Sequence, residues 1–127
     1  MINAVPTRER AIVEQYVAAM QAGPAGLEAL LELFTEDAVY VEPFSGQPTA
    51  HRGRAAIQAF FAYALSHHLQ GAKLTLERLD LDGERLRCQW TCQVPLLPGP
   101  LRGQDRLRLR DGRIARLETT LEREPVA

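Results

Sequence analysis

Three side chains far apart along the chain, one tyrosine and two carboxylic acids, stand where their neighbours predict an apolar setting. In "LRGQDRLRLR" a period of two sorts the side chains onto two strand faces. Arg102, Gln104, Arg106, Arg108 and Arg110 share one face, and Leu101, Asp105, Leu107 and Leu109 share the other. If the leucines face the core, Asp105 goes in with them, and an ionised carboxylate left unpaired there is too costly. It is therefore paired, hydrated or neutral; a neutral acid with a raised pKa can donate a hydrogen bond to an oxyanion. Tyr16 shares a helical face with Ile12 and Met20 in "TRERAIVEQYVAAMQAG", either as a second donor or as a core tyrosine with its hydroxyl satisfied at the edge. Glu42, directly before Pro43 in "YVEPFSGQP", shares strand parity with Tyr40 and Phe44. It is an exposed strand-end acid or a base at the mouth of an apolar pocket. One base and two donors around such a pocket suit proton abstraction beside a carbonyl.

The elements that must position these groups follow from periodicity and breakers. The first helix starts at Thr7, a plausible N-cap, and stops at Gly23 and Pro24; "LEALLELF" is a second, with Leu27, Leu30, Leu31 and Phe34 on one face. "AVYVEPF" is a short strand and "SGQPTAHRG" a loop. A third helix, "RAAIQAFFAYALSHH", turns Ile57, Phe60, Phe61, Ala64 and Leu65 inward. Beyond Gly71 the chain reads as strands, "KLTLERLDL", "ERLRCQWTCQV", "LRGQDRLRLR" and "RIARLETTLE", joined by "DGE", "PLLPGP" and "DG". The apolar parity of the first of these switches between Leu76 and Leu79, so a bulge is expected near Glu77 and Arg78. Helices first and a mostly antiparallel meander afterwards give an α+β domain, a cone-shaped curved sheet with three helices packed over it and a pocket enclosed between.

The chain has 127 residues, enough for a single domain over 1–127 with a core at about 8–122 and "EPVA" as a frayed tail. A net charge of −1 recruits neither nucleic acid nor an anionic membrane, so the expected partner is small or neutral. No apolar run approaches the ~20 residues of a membrane span, and "MINAVPTRER" does not read as a signal peptide, which makes the cytoplasm the default location. Cys88 and Cys92 are expected as reduced core residues, because four strand residues span ~13 Å, beyond the ~7 Å limit for a disulfide. No metal-ligand spacing accompanies them. His67 and His68 close a helix as a solvated pair, and His51 lies in a loop. Glu118 and Glu122 can pair with the arginine face, which is read as the solvent or dimer face.

The order of elements, with "LELFTEDAVYVEPFSGQP" leading into "HRGRAAIQAFF", resembles the nuclear transport factor 2-like superfamily, the SnoaL-like or cystatin-like fold, and within it the bacterial ketosteroid isomerases. The resemblance spans about residues 8–122 and is tightest from Leu33 to Phe61 and at "DRLRLRDGRI". It implies a steroid Δ-isomerase-like reaction on a steroid-like or polyketide-like ketone. Glu42 stands at the position of the family's aspartate base, and Tyr16 and Asp105 at those of its two oxyanion donors. It also implies a homodimer, with no metal or organic cofactor. The chain departs from the family in having glutamate as base, and in carrying Phe34, Phe61 and Leu121 where some relatives have tyrosines and a tryptophan. Phe34, Phe44, Phe60, Phe61, Trp90, Leu107 and Leu121 are the expected pocket lining or nearby core, in a pocket suited to a substrate other than a steroid. The other readings are a polyketide cyclase-, dehydratase- or hydrolase-like enzyme, and a non-catalytic hydrophobic-ligand-binding or dimerisation domain of the same fold.

Overall fold

The structure, a computed structural model, describes residues 5–122; the "EPVA" tail lies outside them. Helix α1 runs over Thr7–Gln21 and buries Ile12, Val13, Tyr16, Ala19 and Met20. Pro6, not Thr7, occupies the cap position, with no side-chain cap, so proline's fixed φ starts the helix rather than a hydroxyl. A 3-10 turn over Gly23–Gly26 leads into the short helix α2, Leu27–Glu32. Gly26 admits a close crossing, since a Cβ there would stand 2.2 Å from the Ala19 carbonyl oxygen.

Phe34, expected on the second helix, instead opens strand β1, Phe34–Glu42. The parallel partner strand explains the change: the Ile114 amide donates to the Leu33 carbonyl and draws the chain into the sheet. Strand β1 also ends at Glu42, so Pro43 and Phe44 lie beyond it. The expected loop "SGQPTAHRG" contains a further strand, β2, Thr49–Arg52, paired antiparallel with β1 and placing His51 opposite Tyr40. Helix α3 covers Arg54–Ser66 and buries Ile57, Phe61, Ala64 and Leu65, with Phe60 only partly buried.

Strands β3 (Lys73–Asp82), β4 (Arg85–Gln93), β5 (Leu101–Arg110) and β6 (Arg113–Leu121) complete a six-stranded open sheet in the order β2-β1-β6-β5-β4-β3. Among the described residues only the β1–β6 pair is parallel. The bulge anticipated near Glu77 is present as a register shift between Leu76 and Arg78. A second shift lies between Arg108 and Leu109; bulges of this kind raise local twist and curve the sheet over the helices. On β5, Gly103, Asp105 and Leu107 point inward and the arginines outward, while Leu101 and Leu109 are only partly buried. Glu118 stands opposite Arg106 in register, but its carboxylate meets Arg116 at 3.5 Å. Cys88 and Cys92 are free and buried. No helix of the described residues is long and apolar enough to cross a membrane.

Candidate active site

Tyr16 from α1, Trp90 and Cys92 from β4, Asp105 from β5 and Thr119 from β6 face a common cavity of about 30 Å³. It is closed by Met20, Phe44, Leu69, Leu74 and Leu101. Larger troughs of about 370 and 1190 Å³ run along the β4–β5 loop and along α1 and α2, but none of Tyr16, Glu42 or Asp105 lines either. The small cavity is where the ionisable groups converge.

Sheet register builds this cluster. Asp105 sits opposite Cys88 on one side and Thr119 on the other, all three on the inward face. Thr119 Oγ1 lies 2.7 Å from Asp105 Oδ1 and 3.3 Å from the Tyr40 hydroxyl oxygen. Having one proton, the threonine donates to the aspartate and accepts from the tyrosine. The Cys88 thiol, a weak donor, stands 4.0 Å from the other carboxyl oxygen. No cation among the described residues pairs with Asp105, and burial pushes its pKa up to about 6, with Thr119 and the nearby Trp90 indole N–H holding it from rising further. That indole N–H nevertheless completes no hydrogen bond of normal geometry with any described residue.

Tyr16 is 4 % exposed, and its pKa is well above the ordinary tyrosine value because of burial first and the neighbouring Asp105 charge second, with no hydrogen bond contributing. Its hydroxyl therefore remains a protonated donor. Burial likewise raises Tyr40, Cys88 and Cys92, so neither thiol is ionised at neutral pH.

Glu42 is 1 % exposed but does not line the cavity. Oε1 accepts from the Phe44 and Ser45 amides at 2.9 and 3.2 Å, and the Ser45 hydroxyl sits 3.1 Å from both carboxylate oxygens. The His51 ring closes the set, with Nε2 3.1 Å from Oε2. Glu42 is thus neither an exposed strand-end acid nor a free base; its lone pairs are directed at the turn that follows it. His51, expected in a loop, is held between the rings of Tyr40 and Phe60, at centroid distances of 6.3 and 4.8 Å. Of the expected pair of solvated histidines, His67 is exposed and His68 is not: its ring packs on Phe44 at 5.1 Å, and burial lowers its pKa.

Among the residues expected to line the pocket, Phe44 and Trp90 do so. Phe34, Phe61 and Leu107 are at most 1 % exposed and fill the adjoining core, where Phe61 stacks on Tyr40 at 5.1 Å. Phe60 and Leu121 pack partly buried against it. Thr119 and Ser45 are not among the residues expected from sequence, and His51 is expected in a loop as a structural or exposed residue rather than beside Glu42. Thr119 could have been found from the parity of Leu117 and Leu121 in "RIARLETTLE", whereas nothing local pairs Ser45 or His51 with Glu42. No group of three His, Cys, Asp or Glu that could hold a metal occurs among the described residues.

A polar cluster at one end of an apolar chamber, under three helices and over a bent sheet, defines a SnoaL-like α+β domain. The SnoaL-like domain family model matches residues 13–117, and the chain belongs to that family. No curated protein matches it in sequence. Similar solved structures include a Kribbella flavida DSM 17836 protein provisionally assigned as a ketosteroid isomerase (21% identity, 94% of this chain and 82% of that chain covered, TM-score 0.74). Another is a Sinorhizobium meliloti protein provisionally assigned as a polyketide cyclase (23% identity, 91% and 95% covered, TM-score 0.73). A third is an NTF2-like protein of unknown function from Burkholderia pseudomallei K96243 (18% identity, 92% of each chain covered, TM-score 0.77). At these identities the likeness establishes the fold.

Proposed function

We propose that the chain is an enzyme that shifts a proton beside the carbonyl of a small hydrophobic ketone, steroid-like or polyketide-like. One observation carries this reading: Tyr16 and Asp105, from opposite layers of the fold, both line one small cavity. In the reaction, Glu42 removes the proton between ketone and double bond, the dienolate oxygen accepts hydrogen bonds from Tyr16 and neutral Asp105, and Glu42 returns the proton two carbons away. Negative charge on a ligand oxygen beside Asp105 favours the protonated acid, so the donor state extends above the pKa of about 6 of the empty site.

Size imposes a condition. A cavity of about 30 Å³ holds about two waters, against roughly 300–1,000 Å³ for sites that enclose drug-sized ligands. A substrate must therefore displace side chains, and Phe44 is the wall that can yield: it follows the end of β1, is partly buried and precedes an exposed turn. Two Glu42 hydrogen bonds come from the Phe44 and Ser45 backbone amides, so a shift of the turn's backbone that carries Phe44 aside also unties the base. The same turn shuts the chamber and restrains its carboxylate.

The test is to mix the protein with a 5-ene-3-ketosteroid and with smaller β,γ-unsaturated ketones in deuterated water. Dienone absorbance and deuterium uptake next to the carbonyl are expected. Asp105→Leu should slow both by about 100-fold, and Glu42→Gln should abolish them; uptake that survives both substitutions rules the reading out. A second reading, a non-catalytic binder of a hydrophobic ligand, is favoured by the fully occupied Glu42 carboxylate. It requires a rise in melting temperature with ligand and no exchange.

A further inference from the structure

We propose that Trp90 is a third donor of the Tyr16–Asp105 cavity, its indole N–H kept for the oxyanion of a bound ligand. This inference rests on the function proposed above and adds a residue to it.

Trp90 is 6 % exposed and lines the cavity, yet its Nε1 atom is buried without a hydrogen-bond partner among the described residues. Buried donors are nearly always paired, and an orphan asks for an explanation. Two of the neighbouring acceptors, the Thr119 hydroxyl and Asp105 Oδ1, already have a donor. Thr119 gives its proton to Asp105 and receives that of Tyr40; the Tyr16 hydroxyl is the other oxygen of the lining residues, and the remaining walls are aliphatic, aromatic or sulfur-containing. The Asp105 carboxyl lies close enough to feel the indole, but not in bonding geometry.

The strand pairing aims the ring there. Trp90 stands opposite Gly103 on β5, and the next inward residue of that strand is Asp105. A Cβ on Gly103 would stand 2.7 Å from Cζ2 and 2.8 Å from Cη2 of the indole, so the glycine lets the ring lie across the strand. What the tryptophan adds is one N–H that cannot ionise, beside an acid and a phenol that can. The ligand it fits carries a localised negative oxygen on a flat apolar body, such as an enolate or a phenolate.

The experiment uses 4-nitrophenolate as the oxyanion probe and 4-nitrotoluene as its neutral counterpart. Trp90→Phe should weaken 4-nitrophenolate binding about tenfold while changing 4-nitrotoluene binding less than about twofold. Trp90 is the only tryptophan of the chain, so the unsubstituted protein, nitrogen-15 labelled, gives one indole N–H resonance. That resonance should move downfield with 4-nitrophenolate and stay in place with 4-nitrotoluene, an outcome that does not depend on the variant folding. If Tyr16→Phe and Asp105→Asn weaken 4-nitrophenolate selectively while the indole resonance does not move and Trp90→Phe affects both probes equally, the Trp90 assignment falls and the two-donor site stands. If the unsubstituted protein shows no preference for 4-nitrophenolate, both fall.

Discussion

Burial of Asp105 without a cation ties its protonation to folding. Its folded pKa of about 6 lies above the ordinary 3.8, so between those values the native state holds a proton that the unfolded chain releases. The contribution is complete below pH 3.8 and is lost as pH rises through about 6, a loss of about 3 kcal/mol by linkage. Urea unfolding at pH 5 and pH 8 should show that slope in the native sequence and a flatter one in Asp105→Asn. The lowered pKa of His68 acts with the opposite sign, which is why the variant is the necessary reference. Glu42 belongs to a different case, an acid whose stability comes from donors. Ser45→Ala removes a hydroxyl shared by both of its oxygens and should cost about 1–2 kcal/mol in the same measurement. The inward aim of Asp105 and Tyr16 was readable from period two and period 3.6, since those periods are local. The hold on Glu42 was not, because His51 approaches it across a strand pair that sequence reasoning had placed in a loop.

Among the elements, β4 and β5 fit closely at Gly103. Gly103→Ala would place a Cβ 2.5 Å from the Thr120 carbonyl oxygen as well as against the Trp90 ring. Overpacking of this kind should cost about 1–3 kcal/mol and shift the emission of Trp90, measurable in one fluorescence-monitored denaturation. The turn after β1 is looser, and Phe44→Ala should widen the cavity entrance. Its expected effect is a larger thermal shift with ring-sized ketones than the native protein gives; an unchanged shift would mean that ligands enter elsewhere. Long strands and the Leu76–Arg78 bulge were readable because alternation and its interruption are sequence properties. Strand β2 was not, having four residues, half-exposed alternation and, among the described strands, no partner but β1.

At the scale of the molecule, the aromatic and aliphatic core runs continuously from α1 through β1 and α3 to β6. A single cooperative unit should follow, with Trp90 emission and far-ultraviolet dichroism changing at the same denaturant concentration; separated transitions would divide the chain. The open sheet ends in β3 on one side, whose Glu77, Arg78, Asp80 and Asp82 charge the edge strand, a device that discourages further strand addition. By itself the sequence determined the α+β order, the bent sheet, and the faces on which Tyr16 and Asp105 lie, because hydrophobic periodicity is fixed by neighbours within a few residues. Only the tertiary structure decided that Thr119 joins them, that the Trp90 indole N–H is left without a partner among the described residues, that Glu42 is tied to the turn beside Phe44, and that the cavity is small. Those are consequences of strand register and of how layers close, set by contacts between distant segments that no local pattern encodes.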